Sequence, residues 1–198
     1  MGKIYFKYGV MGSSKSAQAL MQKFSLEERK YSVWLIKPAC DTRDGDGIIK
    51  SRIGISMPCR LISADEDIFD SFVRSTSEKI KETGEGYDAI IADEVQFFSE
   101  KQIDQLRLIA DHYTVSIYCY GLRTDFTCHF FEGSRRLMEV ADTFDEIKVS
   151  CNCGNKATVS ARINENGKIL REGEQFKLGG NDSYIPLCHQ CWHRKDYI

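Results

Sequence analysis

The chain has 198 residues, about 1.3 domains by length, which suits one full domain with a small appendage. Apolar residues make up 42% and charged residues 28%, and no stretch nears the roughly 18 uninterrupted apolar residues of a membrane span, so disordered and membrane-spanning classes are excluded. With 27 basic and 29 acidic residues the net charge is −2, and no run of like charges forms the basic stripe of a dedicated nucleic-acid binder.

Lys3 to Tyr8 reads as a short strand that runs into the small-residue turn GVMGSS and then a helical stretch, KSAQALMQKF. Lys7 breaks the apolar run that a signal peptide needs, and Phe6 stands where a myristoylation site needs Ser or Thr, which predicts a cytoplasmic protein. Ser32 to Lys37 is a second buried strand closed by Pro38, and the Gly-, Asp- and Arg-rich segment from Asp41 to Gly54 is expected to be a mobile loop. Ile68, Phe72, Val73 and Ile80 fall at helical spacing ahead of the apolar run Asp88 to Ala92, which ends in Asp93-Glu94. A helix from Glu100 to His112, a strand from Val115 to Gly121 and a helix from Glu132 to Ala141 continue the alternation, which implies an α/β fold with a parallel sheet flanked by helices. From about Val149 the chain turns into short, glycine-punctuated pieces with paired cysteines, so a boundary is drawn between residues 1–148 and 149–198.

Gly9, Val10, Met11, Gly12, Ser13, Ser14, Lys15 and Ser16 spell GVMGSSKS, the phosphate-loop pattern GxxxxGK[ST] with Ser14 in place of the second glycine. The pattern suits a polyphosphate because backbone N–H groups and a helix N-terminus surround the anion, the lysine reaches the β and γ phosphates, and the hydroxyl of the last residue holds Mg²⁺. A serine at the fourteenth position is expected to crowd the nucleotide or strain the loop. The competing structural reading is an ordinary small-residue turn. Asp93 and Glu94 follow a strand, at the carboxyl edge where parallel sheets bind ligands; Asp93 suits the metal and Glu94 the proton acceptor, against the alternative of two solvated charges opening a helix.

Cys151, Cys153, Cys188 and Cys191 form two close pairs, enough for a closed, structural Zn²⁺ site, while His189 and His193 stand near enough in sequence to replace a thiolate. Cys40, Cys59, Cys119 and Cys128 lack such pairing and are assigned no chemistry, as are His112 and His129.

GVMGSSKS, SRIG, DEVQFF, YGLRTDF, CNCGNKAT and GEQFKLGGNDSYIPLC occur in one order, and together they resemble the cytosolic, zinc-containing thymidine kinases, bacterial members most of all, over nearly the whole chain. The resemblance implies a phosphate-loop sheet domain followed by a small zinc-binding lobe carrying a lasso loop. It implies transfer of the γ-phosphoryl of ATP to the 5′-hydroxyl of thymidine, with Glu94 as the catalytic base, and it places the nucleotide against Gly9 to Ser16, Arg43 and the stretch Asp93, Glu94, Val95 and Gln96. Thymidine is expected beneath a lasso from about Leu178 to Tyr184, at Gly179, Gly180, Asn181 and Tyr184, in a pocket walled by Met11, Phe97, Leu122, Phe126 and Phe131. The resemblance also carries ATP, Mg²⁺ and structural Zn²⁺ as cofactors, a homotetramer, feedback inhibition by dTTP, and neither nucleic-acid nor membrane partners. Ser14 and Cys191, where some bacterial relatives carry histidine, depart from the family pattern. Two rival readings remain from the motifs alone: a zinc-ribbon phosphate-loop ATPase acting on nucleic acid, and a zinc adaptor with a decayed nucleotide site.

Overall fold

A strand that is apolar at every position must be covered on both faces, because successive side chains point to opposite sides. The computed structural model describes residues 1–43, 45, 47–175 and 183–194. Its strands β1 (Ile4–Tyr8), β2 (Val33–Pro38), β5 (Arg60–Ile62), β6 (Ala89–Ala92), β7 (Ser116–Gly121) and β8 (Thr143–Glu146) form one sheet in the order β5-β2-β6-β7-β1-β8. Every pairing in this sheet is parallel. Helices α1 (Lys15–Glu28), α2 (Ile68–Thr83), α3 (Glu100–Tyr113) and α4 (Glu132–Val140) flank it.

The period of two sorts the strand residues into separate cores. Phe6, Trp34, Ile36, Ile90, Ala92, Ile117 and Cys119 point to one face and pack with Ile68 and Phe72 of α2, Ile103, Leu106 and Ile109 of α3, and Leu137 of α4. Their neighbours Val33, Leu35, Ala89, Ile91 and Tyr120 point the other way and pack with Ala19 and Leu20 of α1. β2 and β6 are buried at every residue, as the parallel arrangement requires. Local signals fix the helix ends: the Asp67 side chain accepts from Asp70 N–H at the start of α2, and Ser99 and Gln102 form a reciprocal capping box on α3.

The segment expected to be a mobile loop is partly structured. Ile48–Lys50 (β3) pairs antiparallel with Ser56–Pro58 (β4), because Ile49, only 2% exposed, anchors the hairpin beneath α1 in the second core. The short edge strands β5 and β8 carry no clear alternation of their own and are also additions to the sequence-based elements.

A smaller layer follows β8. β9 (Val159–Arg162) pairs antiparallel with β10 (Tyr184–Leu187), and α5 (His189–His193) closes the described chain. Its core contains Ala157, Val159, Ala161 and Leu187 around the cysteines, together with Val10 from the turn after β1. Among the described residues no helix is long and apolar enough to cross a membrane.

Candidate active site

All six sheet strands run the same way, so their carboxyl ends share one edge. There β1 delivers Gly9, β2 delivers Lys37 and Asp41, β6 delivers Asp93 and Glu94, and β7 delivers Leu122. A cavity of about 290 Å³ at this edge is lined by Met11 to Ala17, Lys37, Asp41, Arg43, Arg52, Asp93, Glu94 and Leu122, among others.

The turn from β1 into α1 is held by its own backbone, with Ser13 N–H donating to the Val10 carbonyl at 3.2 Å and Gly9 N–H to the Gly121 carbonyl at 3.3 Å. A side chain on Gly9 would meet Ser13 Oγ at 2.5 Å and the Ile147 carbonyl at 2.8 Å, so only glycine fits there. Lys15 Nζ donates to the Val10 carbonyl at 2.8 Å, the Gly9 carbonyl at 3.3 Å and Ser13 Oγ at 3.2 Å. Burial lowers its pKa to about 8, against the opposing pull of the Glu94 and Asp93 charges. Ser14 takes the left-handed conformation at φ 61°, a costly one for a residue other than glycine, and it is an exposed residue on the lining of the cavity.

Asp93 is 2% exposed and accepts hydrogen bonds from the Ser16 hydroxyl and the Glu94 N–H. Burial, followed by the charge of Glu94, pushes its pKa up to about 7, despite those hydrogen bonds and Lys15. Glu94 also occupies the left-handed region, at φ 52°, a costly conformation for a non-glycine residue that concentrates at working sites. Arg43 Nη2 pairs with Glu94 Oε1 at 2.7 Å, and Gln96 Nε2 donates to Glu94 Oε2. Gln96 Oε1 in turn accepts from Leu122 N–H at 3.0 Å, tying the end of β6 to that of β7.

Arg43 Nε binds Asp41 Oδ1 at 2.6 Å, and Lys37 Nζ lies 3.7 Å from Asp41 Oδ2. Although burial alone would raise the Asp41 pKa, the Arg43 hydrogen bond and charge, helped by Lys37, hold it below the usual range. Lys37 is 1% exposed and its ammonium has no hydrogen-bond acceptor among the described residues, which leaves a buried cation with unused donors on the cavity wall. Lysine donors, a hydroxyl beside a carboxylate, and backbone N–H groups at a helix start suit a metal-bound triphosphate. The residues therefore fit ATP and its Mg²⁺.

The remaining site residues fall into distinct groups. Met11 reaches the cavity, and its N–H donates to Ser160 Oγ at 2.9 Å; Val95 is buried in the core with α3 and α4 and is not among the residues that line this cavity. Phe97 and Phe131 meet edge to face, with centroids 5.7 Å apart. Gly133 supports that contact: a Cβ there would sit 2.4 Å from the Val95 carbonyl and 2.6 Å from that of Phe98. Phe126 and Tyr184 flank the guanidinium of Arg162. Gly179, Gly180 and Asn181, with most of the expected lasso, lie outside the described residues.

The ligand atoms of Cys151, Cys153, Cys188 and Cys191 all lie within 4.8 Å of one another, and the Cys153 and Cys188 sulfurs are 3.6 Å apart. Zn–S bonds of about 2.3 Å in a tetrahedron place sulfurs roughly 3.8 Å apart, so the cluster needs at most about 1 Å of contraction to hold zinc. His189 and His193 stack on each other outside this four-sulfur set. Four sulfurs and no histidine thus make the group.

Lys37, Asp41 and Arg52 were not singled out as site residues from sequence. The signals were a lysine inside an otherwise apolar strand, an aspartate two residues before Arg43, and the SRIG motif itself.

A lysine-bearing turn between a strand and a helix, facing a strand-end carboxylate on a parallel sheet, defines a phosphate-loop nucleotide-binding protein of α/β class. The family model described as "Thymidine kinase" matches residues 2–192. Thymidine kinases from Haemophilus influenzae (strain 86-028NP; 38% identity, 98% of each chain), Enterobacteria phage T4 (39%; 98% of this chain and 96% of the relative) and Streptococcus pyogenes serotype M3 (40%; 96% of each) are similar over nearly their whole lengths. The chain belongs to the thymidine kinase family.

Proposed function

We propose that the chain transfers the γ-phosphoryl group of ATP to the 5′-hydroxyl of thymidine, giving dTMP and ADP, as a step of nucleotide salvage. The carrying observation is the convergence of Lys15, Ser16, Asp93, Glu94 and Arg43 on one cavity at the sheet edge. The family match favours this over the nucleic-acid-dependent ATPase that the phosphate loop and cysteine pairs alone would permit.

In this proposal the backbone of Gly9 to Ser16 and the start of α1 bind the phosphates, whose oxygens replace the loop carbonyls as partners of Lys15 Nζ. Ser16 and Asp93 would hold Mg²⁺, which when bound neutralises charge on the β and γ phosphates. Glu94 accepts the 5′-hydroxyl proton as the nucleoside oxygen attacks phosphorus in line, with ADP leaving. Arg43, freed from Glu94, reaches the transferring group, where a planar guanidinium stabilises equatorial oxygens. Gln96 keeps Glu94 aimed. Met11, Phe97, Leu122, Phe126, Phe131 and Tyr184 form the walls of the base pocket.

The reading extends to a nucleotide-binding unit of residues 1–148 and a zinc lobe of 149–198, with zinc structural because four thiolates fill its coordination. It includes a cytoplasmic enzyme that dTTP inhibits by presenting a thymidine and a triphosphate in one molecule. It also includes a homotetramer; exposed Met21 and Phe24 on α1 supply an apolar face for assembly.

Incubating the purified protein with Mg·ATP and each nucleoside in turn tests the activity. Formation of dTMP with stoichiometric ADP is expected with thymidine. ATP hydrolysis that ignores thymidine but requires DNA would overturn the assignment.

A further inference from the structure

Arg162 ends β9 directly opposite Tyr184, the first residue of β10. It is 6% exposed, a deep position for a guanidinium, and every edge of its fork is used. Nε donates to the Tyr184 hydroxyl oxygen at 2.8 Å, and Nη2 donates to the same atom at 2.5 Å. Nη1 donates to the Glu174 carbonyl at 2.9 Å, and Nη2 also approaches that of Gln175 at 3.5 Å. Its flat face lies 3.9 Å from the ring centroid of Phe126.

Three separate stretches therefore meet on one side chain. Phe126 belongs to a loop that buried Asp125 organises by accepting from the Thr127 and His129 N–H groups at 2.8 and 3.0 Å. Glu174 and Gln175 come from a second stretch, and Gln175 Nε2 also donates to the Phe130 carbonyl at 3.3 Å. Tyr184 comes from the third. A phenol oxygen that accepts two N–H bonds has spent both lone pairs, which fixes where its ring lies.

We infer that Arg162 is a positioning residue for the nucleoside: its guanidinium sets the rings of Tyr184 and Phe126, and so governs thymidine affinity without acting on phosphoryl transfer. This rests on the placement of Phe126 and Tyr184 in the base pocket. Only a planar, five-donor cation can stack on one ring, grip a second and hold two carbonyls; a lysine offers a point charge with no stacking face.

Arg162→Lys, assayed as the zinc-loaded full chain, is expected to raise the thymidine KM about ten- to a hundredfold, the range for losing charge-assisted hydrogen bonds. The ATP KM and kcat at saturating thymidine should stay within roughly twofold, the signature of binding lost equally in ground and transition states. Tyr184→Phe should raise the thymidine KM in the same direction, and the double variant should be no worse than Arg162→Lys alone, since both remove one shared contact. A folded, zinc-replete Arg162→Lys with unchanged thymidine KM overturns the inference, as does a loss confined to kcat. Should Arg162→Lys fail to retain zinc, Tyr184→Phe decides: a raised thymidine KM supports the role, and an unchanged one overturns it. Phe126→Leu and Tyr184→Ala separate the two levels. If neither moves the thymidine KM, the base-pocket placement itself is wrong; if they do and Arg162→Lys does not, only the role of Arg162 falls.

Discussion

The sheet and the C-terminal layer hold their shape by different means. On the sheet, Phe6, Ile36, Ile90 and Ile117 are wholly enclosed, as is Leu106 of α3 above them, and two continuous apolar cores sandwich the strands. In the layer beyond β8, the buried apolar residues among those described are few and mostly small: Ala157, Val159, Ala161 and Leu187, packed against cysteines. A unit of that size buries too little surface to offset its chain entropy, and its four clustered sulfurs can hold a metal ion that would supply the difference. A fold can thus change its source of stability within a few residues, and each source leaves its own mark on the sequence.

Removing zinc should separate the two regions most sharply. Structural zinc carries on the order of 10 to 16 kcal/mol of apparent binding energy, far more than any single apolar contact. Chelation or Cys188→Ser is expected to unfold β9, β10 and α5, abolish thymidine phosphorylation, and leave the sheet with its own cooperative melt. Limited proteolysis with metal analysis reads this directly; a chelated chain that stays protease-resistant throughout contradicts it.

Within the sheet region, the next largest effect belongs to the site. Glu94→Gln should lower kcat by roughly 10²- to 10⁴-fold with a modest change in thymidine KM, because a positioned base contributes in that range. Steady-state kinetics checks it, and a near-normal kcat removes Glu94 from the role.

A pH series gives a smaller effect that also tells the regions apart. The pKa of Asp93, about 7, is raised from its ordinary value of 3.8, so the folded chain binds more protons than the unfolded one between those limits. Its contribution therefore favours the fold at low pH and is lost as pH rises through about 7. Lys15 acts in the opposite sense: its pKa, about 8, is depressed from 10.5, so its contribution improves from about pH 8 towards 10.5. Asp93→Asn should flatten the lower slope in a Tm-versus-pH series of the nucleotide-free protein. An identical slope in the variant contradicts the burial account of Asp93.

The mildest change is at Ser14. Ser14→Gly should stabilise the chain by about 1 kcal/mol, from relief of a left-handed residue, and raise Tm by roughly 2–4 °C. Thermal unfolding tests this, and a lower Tm would show that the conformation is not strained.

The sheet was legible because period-two alternation and continuous apolar runs mark β1, β2, β6 and β7 whatever their partners. β3 was not, because a hairpin anchored by Ile49 alone looks like the Gly- and Asp-rich loop around it. β8, with the sequence TFDE, has no apolar alternation and is a strand only because β1 offers it a free edge. At the site, the phosphate loop, the acidic pair and the cysteines were visible because their chemistry demands fixed local spacing. Lys37, Asp41 and Arg162 depend on neighbours distant in the chain. A lysine at the end of the apolar SVWLIK is an unusual residue there, but the sequence does not say that its ammonium lines a cavity beside Asp41, and nothing near Arg162 in sequence announces Phe126 beneath it.

Val10 packs among the cysteine-bearing core, while the next residue, Met11, donates its N–H to Ser160 of β9. The front of the phosphate loop thus leans on the cysteine-bearing layer as a door leans on its frame. On the proposed reading, in which those four thiolates hold zinc, peroxide that oxidises them would expel the ion and loosen the support of Val10 and Met11, and the phosphate loop would feel that loss through two consecutive residues.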